Sequence, residues 1–303
     1  MPGAPPGQLT ERRGRRPLRA SSTVTFISDF GSGNEFVGVV HLVIAGIAPG
    51  AQVIDLTHRV PAHDVAAGAR VLVRAAPWLS GVVLALVDPG AGTRTRAVAV
   101  EAVDGRGDRP VILVGPDNGL LLSAVRALGG FGRAVEVDRG PEGGRVGATF
   151  DGRDVLAPVA AHLCNGMDLG DLGRTVDPAG LVELSDQAPT IGPDGALVGH
   201  VQWIDHFGNV ELDIAGPLVA GWEPSVDVTV ADGSPLTVPV VVAYQEIPAG
   251  TVGLMVDSEG WVSLAANRTS AAAALRLVEG DPIALRAGRS TPAATPPPPP
   301  TED

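Results

Sequence analysis

Val83-Leu84-Ala85-Leu86-Val87-Asp88-Pro89-Gly90-Ala91-Gly92-Thr93 runs apolar residues into an acid and then into a Pro-Gly turn. An unbroken apolar run of this length has the character of a strand buried in a sheet. In an α/β sheet the ligand crevice opens at the carboxyl ends of the parallel strands. A carboxylate standing there, beside glycines that let another backbone approach closely, occupies a place suited to chemistry. An isolated Asp-Pro-Gly also serves simply to cap a turn. The rest of the chain has to decide between these two roles for Asp88.

Working outward, the flanking segments alternate in α/β fashion. Val24 to Ile27 read as a strand ending at Asp29, followed by a turn with Gly31 and Gly33 and a helix from Val37 to Ile47 closed by Pro49-Gly50. Val53 to Leu56 form a second strand, and Asp64 caps a helix from Val65 to about Ala76. The opening stretch, Val82 to Val87, is then the third strand. Ala97 to Val103 and Val111 to Val114 read as a hairpin around the polar turn Asp104 to Arg109. Helices are expected over Gly119 to Leu128 and Val155 to Cys164. Strands alternating with helices at this spacing predict a mostly parallel, layered sheet.

The pattern changes between Pro178 and Pro193. Beyond it come short strands separated by turn residues, at 196–204, 209–214, 225–230, 237–243, 251–256, 261–265 and 282–287, with one small helix near Ser270 to Leu277. That predicts a small β-barrel or sandwich. The expected organisation is a disordered basic tail over 1–22, an α/β catalytic domain over 23–180, a β-barrel domain over 194–288 and a disordered Pro-rich tail over 289–303. The first tail carries paired arginines (Arg12-Arg13, Arg15-Arg16) like a twin-arginine signal, but no long apolar region follows them. In the last, Pro296 to Pro300 extend as polyproline II or stay disordered.

Composition excludes several function classes. A net charge of −12 argues against nucleic acid as the main partner, because neutralising phosphates needs a basic face. All 22 basic residues are arginine, and the Ala/Gly/Pro richness beside them points to a G+C-rich coding bias, so arginine clusters carry little weight. No apolar run approaches the roughly 18 residues of a membrane span, and a cytoplasmic location is expected. The single Cys164 rules out an intramolecular disulfide and a cysteine metal cluster.

Three acids stand at or near strand ends, Asp29, Asp55 and Asp88, and a carboxylate in such a place can accept both hydroxyls of a ribose. No Gly-x-Gly-x-x-Gly is present, and without lysine there is no P-loop, so a nucleoside without phosphates fits better than a nucleotide. No Gly-x-Ser-x-Gly elbow supports acyl transfer. Among His41, His58, His63, His162, His200 and His206 no pair has helical ligand spacing, so no metal is expected. His41 and His162 read as ordinary helical histidines, whereas His58 and His63 border a loop. Asp205-His206-Phe207-Gly208-Asn209 is either a plain turn or a place where Phe207 stacks on a flat ring while Asn209 reads its edge.

Taken in order, these stretches resemble the S-adenosylmethionine hydroxide adenosyltransferases, relatives of the fluorinase and chlorinase. The resemblance rests on Ser28-Asp29-Phe30-Gly31, Asp55-Leu56-Thr57-His58, Asp64-Val65-x-x-Gly68-Ala69, Val87-Asp88-Pro89-Gly90-Ala91-Gly92-Thr93 and Gly115-Pro116-Asp117-Asn118-Gly119-Leu120. It continues through Thr149-Phe150-x-Gly152-Arg153-Asp154, Asp205-x-Phe207-Gly208-Asn209 and Ser258-x-Gly260, spanning about Thr23 to Arg286. It implies an α/β domain followed by a β-barrel, and a homotrimer holding the nucleoside between the first domain of one subunit and the second domain of the next. It further implies hydrolysis of S-adenosyl-L-methionine to adenosine and L-methionine without metal or organic cofactor.

By that resemblance, Asp29 holds the ribose hydroxyls and Asn118 is a further substrate contact. Asn209, Ser258 and the segment from Ser263 to Ala266 surround the adenine, with Phe207 nearby. Asp88 accepts a hydrogen bond from the attacking water. A sulfonium leaves as neutral methionine, so what remains is to align that water for in-line attack on C5′ and withdraw its proton. Halide-using relatives carry a tyrosine at this position, and an anionic Asp88 repels a halide. The hydrolase pattern adds an arginine two places after the threonine and a histidine in the later motif. Here those places hold Thr95, flanked by Arg94 and Arg96, and Asp151, making Arg96 and Asp151 the candidates for the two catalytic roles. Ser263 stands where the family usually has Glu. Two alternatives stay open: a catalytically impaired protein that binds adenosine or S-adenosyl-L-methionine, and a halide-dependent adenosyl transferase.

Overall fold

The computed structural model describes residues 23–93, 95–103, 110–138, 150–185, 188–230, 233 and 235–288. Both expected tails, the turn at 104–109 and Arg94 lie outside the described residues. The chain divides into two compact units, the first running to Ser185 and the second beginning at Asp186.

In the first unit, β1 (Thr23–Ser28), α1 (Phe36–Ile47), β2 (Gln52–Thr57), α2 (Val65–Ala75) and β3 (Val82–Leu86) follow the predicted alternation. β4 (Ala97–Ala102) and β5 (Val111–Pro116) form the expected hairpin. β6 (Phe131–Val137) and β7 (Gly173–Val176) were not expected, and they complete a sheet of order β2-β1-β3-β5-β4-β6-β7. β2, β1, β3 and β5 are parallel, whereas β4, β6 and β7 add antiparallel ladders. The mostly parallel expectation therefore describes one half of the sheet. The reason is connection length: βαβ crossovers make parallel neighbours, and the hairpin between β4 and β5 cannot.

Period-2 alternation sends the two faces of each central strand into different cores. Val24 and Phe26 of β1, with Val82, Leu84 and Leu86 of β3, pack on one face under α1 and α4 (Ala157–Cys164). Ile27, Val83 and Ala85 pack on the other, under α2 and α3 (Leu122–Ala127). Asp64 caps α2 by accepting the Ala67 N–H at 2.8 Å, a bond that contributes about 1 kcal/mol. Gly68 lets α2 lie close on the sheet, since a Cβ there would meet Leu120 Cδ1 at 2.8 Å and Val87 Cγ2 at 3.2 Å.

Two predicted helices differ in detail. The helix expected from Gly119 starts only at Leu122, because Gly119 adopts a left-handed φ of 96° and Asn118 Oδ1 accepts the Leu120 N–H in a local turn. The helix expected over Val155 to Cys164 opens with a wide π turn over Gly152–Leu156 before α4. Cys164 is buried at the end of α4, and burial pushes its thiol up to about 11 from a usual value of 9.0. A raised thiol contributes stability that is complete below pH 9 and lost as pH rises through about 11. Cys164 is accordingly expected to resist a disulfide reagent at pH 8 in the native protein and to react at once in denaturant, which a thiol-titration time course checks.

The second unit is an antiparallel sheet of order β12-β11-β15-β9-β10-β14-β13. Its strands are β8 (Thr190–Ile191), β9 (Leu197–Ile204), β10 (Val210–Ala215), β11 (Ser225–Thr229), β12 (Pro235–Pro239), β13 (Val252–Val256), β14 (Trp261–Ala266) and β15 (Pro282–Ala287), with β8 pairing β9 off the main path. The residues after β12 turn towards β13, where Val240 bridges Leu254 and the Val241 N–H donates to the Leu254 carbonyl at 2.9 Å. That contact nearly closes the sheet around an apolar interior including Leu212, Val226, Leu254 and Leu264. The predicted small helix is α5 (Ala271–Leu275), capped by Ser270 on the Ala273 N–H.

Candidate functional site

In the first unit the strand order reverses at β1 and β3: the chain leaving β1 goes to β2 on one side, and the chain leaving β3 goes to β4 and β5 on the other. Such a switch point is where open α/β sheets hold ligands, outside the carboxyl ends of the strands. Asp29 follows β1 and Asp88 follows β3, so both carboxylates stand at that crevice. The Oδ2 of half-buried Asp29 accepts the His63 backbone N–H at 2.9 Å, which fixes its aim. His63 itself holds a left-handed φ of 69°. Asp88 Oδ1 accepts the Gly90 N–H at 2.9 Å, so the turn-cap role is real. It is also the device that orients the carboxylate.

The loop after Asp88 is tightly folded. Thr93 Oγ1 donates to the Gly90 carbonyl at 2.6 Å and lies 3.3 Å from Thr95 Oγ1. A Cβ on Gly90 would stand 3.2 Å from both Asp88 Oδ1 and Thr93 Oγ1 and collide with Thr95 Oγ1. Glycine is needed there because the Thr95 hydroxyl and the Asp88 carboxylate converge on the same backbone.

Asp151 is buried at the start of the π turn. The neighbouring Gly152 brings it to the same strand ends, since a Cβ on Gly152 would lie 2.9 Å from Leu86 Cδ1 and 3.5 Å from a Phe30 ring carbon. Phe30, Phe36 and Phe150 stack edge to face beside it, with ring centroids 5.2–5.8 Å apart. The motifs holding Asp29, Asp88 and Asp151, far apart in the chain, thus meet at one edge.

Arg96 makes contacts within the first unit. It pairs with the buried Asp117 carboxylate and donates to the Gly180 carbonyl at 2.9 Å, while the other Asp117 oxygen accepts the Val182 N–H at 2.8 Å. A buried carboxylate requires a charged partner and full hydrogen bonding, and Arg96 supplies that charge. Asn118 is likewise occupied: its Nδ2 donates to the Val87 carbonyl at 2.9 Å, and its Oδ1 accepts the Leu120 N–H at 3.1 Å. It pins the backbone immediately before Asp88, which gives it a positioning role. Asn118→Ala should therefore lower kcat about tenfold while leaving KM nearly unchanged, checked by steady-state kinetics.

The second unit contains a cavity of about 1080 Å³ lined by Asp205, Phe207, Asn209, Tyr244, Ala266 and Arg268 among others. Asp205 builds its rim. Its Oδ1 accepts the backbone N–H groups of Phe207 and Asn209, each at 2.8 Å, and its Oδ2 accepts Asn209 Nδ2 at 2.7 Å. This holds Phe207 out, 76% exposed, and sets Asn209 Nδ2 3.5 Å from the Tyr244 hydroxyl. Two exposed rings and an oriented amide suit a flat, hydrogen-bonding ligand ring. Phe207, Asn209 and Ala266 line the same cavity. Ser258 and Ser263 are outside this lining: Ser258 is exposed in the turn before β14, and the Ser263 hydroxyl donates to Asp257 Oδ2 at 2.9 Å. Tyr244 and Arg268 were missed. Their only signal was one tyrosine in the chain and a polar run after β14.

The first unit thus offers carboxylates at a switch-point crevice, and the second unit, taken by itself, offers a pocket with aromatic side chains. Residues 24–173 match the N-terminal domain, and residues 199–284 the C-terminal domain, of the SAM hydroxide adenosyltransferases. The chain belongs to that family. It is 42% identical over 277 residues to the (R)-S-adenosyl-L-methionine hydrolase of Salinispora arenicola, covering 89% of this chain and 100% of the relative. The enzyme of that name from Thermus thermophilus is 40% identical over 272 residues, covering 86% of this chain and 98% of its own. A fluorinase from Actinopolyspora mzabensis is 30% identical over 300 residues, covering 88% and 97%. Among solved structures, an uncharacterized conserved protein from Thermotoga maritima superposes with a TM-score of 0.76 at 30% identity, covering 87% of this chain and all of that one.

Proposed function

We propose that this protein hydrolyses S-adenosyl-L-methionine to adenosine and L-methionine by attack of water on C5′. The observation that carries this reading is Asp88, a carboxylate held by the Gly90 N–H at the switch point of a chain from this family. Asp88 accepts the proton side of the attacking water, Asp29 takes the ribose hydroxyls, and Asp151 faces the same crevice. Phe207, Asn209 and Ala266 receive the adenine, with Ser258 and Ser263 outside that pocket's lining. The sulfonium carries its own positive charge and departs as a neutral thioether, so the residues need only align water and accept a proton. An anionic Asp88 favours the cationic substrate and disfavours a halide nucleophile.

The domain limits proposed are 23–180 for the α/β part and 194–288 for the barrel. We place the protein in the cytoplasm as a homotrimer, with one subunit's first domain and the next subunit's second domain sharing each nucleoside. Supporting the first point, no helix among the described residues is long and apolar enough to cross a membrane. Sedimentation equilibrium giving a monomer would overturn the trimer.

The activity test is incubation of the purified full chain with each sulfonium epimer of S-adenosyl-L-methionine, because the relatives' names specify the (R) form. Adenosine and methionine are expected in equal amounts, with no requirement for halide. Absence of adenosine above a no-enzyme control refutes the proposal. A thermal shift with adenosine but no turnover would instead favour the impaired binding protein. A 5′-halo-adenosine formed only with added halide would favour transfer.

A further inference from the structure

We propose that His41, Asp55 and His58 form a binding site for a divalent transition-metal ion of the zinc type. The three residues come from α1, from β2 and from the loop just after it. One ligand atom from each lies within 4.8 Å of the other two. Asp55 Oδ1 stands 2.8 Å from His41 Nε2 and 3.1 Å from His58 Nε2. In a tetrahedral zinc site with bonds of 2.0–2.1 Å, ligand atoms sit about 3.3 Å apart. The Asp55–His58 side is already close to that length, and the Asp55–His41 side would have to lengthen by about 0.5 Å.

His58 carries the argument. Its Nε2 is buried and stands 3.1 Å from Asp55 Oδ1, within ion-pair distance but outside good hydrogen-bond geometry. Its other ring nitrogen, Nδ1, lies 2.8 Å from Ser28 Oγ, an atom that also accepts the Phe30 N–H at 3.3 Å. In the tautomer whose Nδ1–H donates to that hydroxyl, Nε2 presents its lone pair towards Asp55, and this is the tautomer that a bound metal would select. Metal-bound histidines are oriented in this way, one nitrogen on the ion and the other donating to a fixed acceptor.

A lone pair and a carboxylate facing each other call for a proton or a cation between them. Two imidazoles and one carboxylate select zinc, nickel or copper over magnesium and calcium, which prefer all-oxygen sets. The buried Phe26 ring packs against both imidazoles, with centroids 4.5 Å from His58 and 6.0 Å from His41, and holds them side by side. On the opposite side His41 and Asp55 are 36% and 41% exposed, which leaves a path for the ion and for water ligands. The bound ion would clip α1 to the edge strand β2. None of this depends on the proposed hydrolysis.

The test uses the full-length, untagged protein, stripped with chelator and titrated with Zn²⁺ alone. One zinc per chain is expected by calorimetry and by elemental analysis after dialysis, with no detectable uptake of Mg²⁺. His41→Ala and Asp55→Asn should each weaken zinc binding at least tenfold, whereas His162→Ala, at an exposed histidine on α4, should leave it unchanged. Far-UV circular dichroism checks that each variant is folded. Co²⁺ in the unaltered protein should give the visible bands of a low-coordinate, histidine-ligated ion. Zinc uptake that His41→Ala and Asp55→Asn leave within twofold would overturn the site. So would zinc below half an equivalent, or an octahedral Co²⁺ spectrum, any of which would leave the three side chains as an ion pair only.

Discussion

Asp88→Asn is expected to lower the turnover number for S-adenosyl-L-methionine by about 10²–10⁴-fold, the usual range for removing a positioned proton acceptor. The substitution is nearly isosteric. Asn keeps an Oδ1 that accepts the Gly90 N–H, so the turn at 88–93 should survive. What is lost is the anion: an amide nitrogen cannot accept a proton from water, and a neutral side chain no longer favours the cationic substrate. The cavity proposed to receive the adenine, in the second unit, is untouched, so the thermal shift with adenosine should stay the same. Single-turnover kinetics followed by chromatography of adenosine provide the check. Activity within threefold of the unaltered protein would remove Asp88 from the chemistry and return it to the role of a turn cap.

Gly208→Ala should be the most damaging single methyl in the second unit, lowering stability by about 2–4 kcal/mol. Gly208 holds a φ of 83°, a left-handed value that costs a residue with a Cβ. The added Cβ would also stand 2.5 Å from Ser270 Cβ and 2.9 Å from Ser270 Cα. The cap of α5 cannot retreat freely, because Ser270 Oγ accepts the Ala273 N–H and the Gly208 carbonyl accepts the Ala272 N–H. The turn between Phe207 and Asn209 would therefore have to move. Urea unfolding should record the loss of stability, and the adenosine-induced thermal shift should vanish with it. A variant as stable as the parent would show that the turn tolerates a second arrangement.

Much of the fold could be read from local pattern. The apolar run before Asp88, the capping Asp64 and the alternating strands of the second unit each carry their own periodicity or turn signal. β6 and β7 did not, because Phe131-Gly132-Arg133 and Gly173-Arg174 are too polar and glycine-rich to look like strands until antiparallel neighbours from elsewhere in the chain supply the ladder. The same limit governed the site. Asp29, Asp88, Phe207 and Asn209 announced themselves as polar residues at the ends of apolar runs. Arg96 and Asn118 looked just as eligible. Their hydrogen bonds, to Asp117 and to the Val87 carbonyl, exist only after distant segments have packed.

The sequence by itself determined the class of the protein: an α/β unit with carboxylates at strand ends, a β unit after it, and the ordered motifs of one enzyme family. Those features are local, written in residues adjacent along the chain. Tertiary structure alone decided which carboxylates share the crevice, that Arg96 neutralises a buried acid, and that Tyr244 lines one cavity with Phe207. It also brought His41 beside Asp55 and His58. No spacing rule predicts that group, because its members come from a helix, a strand and a loop that only parallel pairing of β1 with β2 draws together.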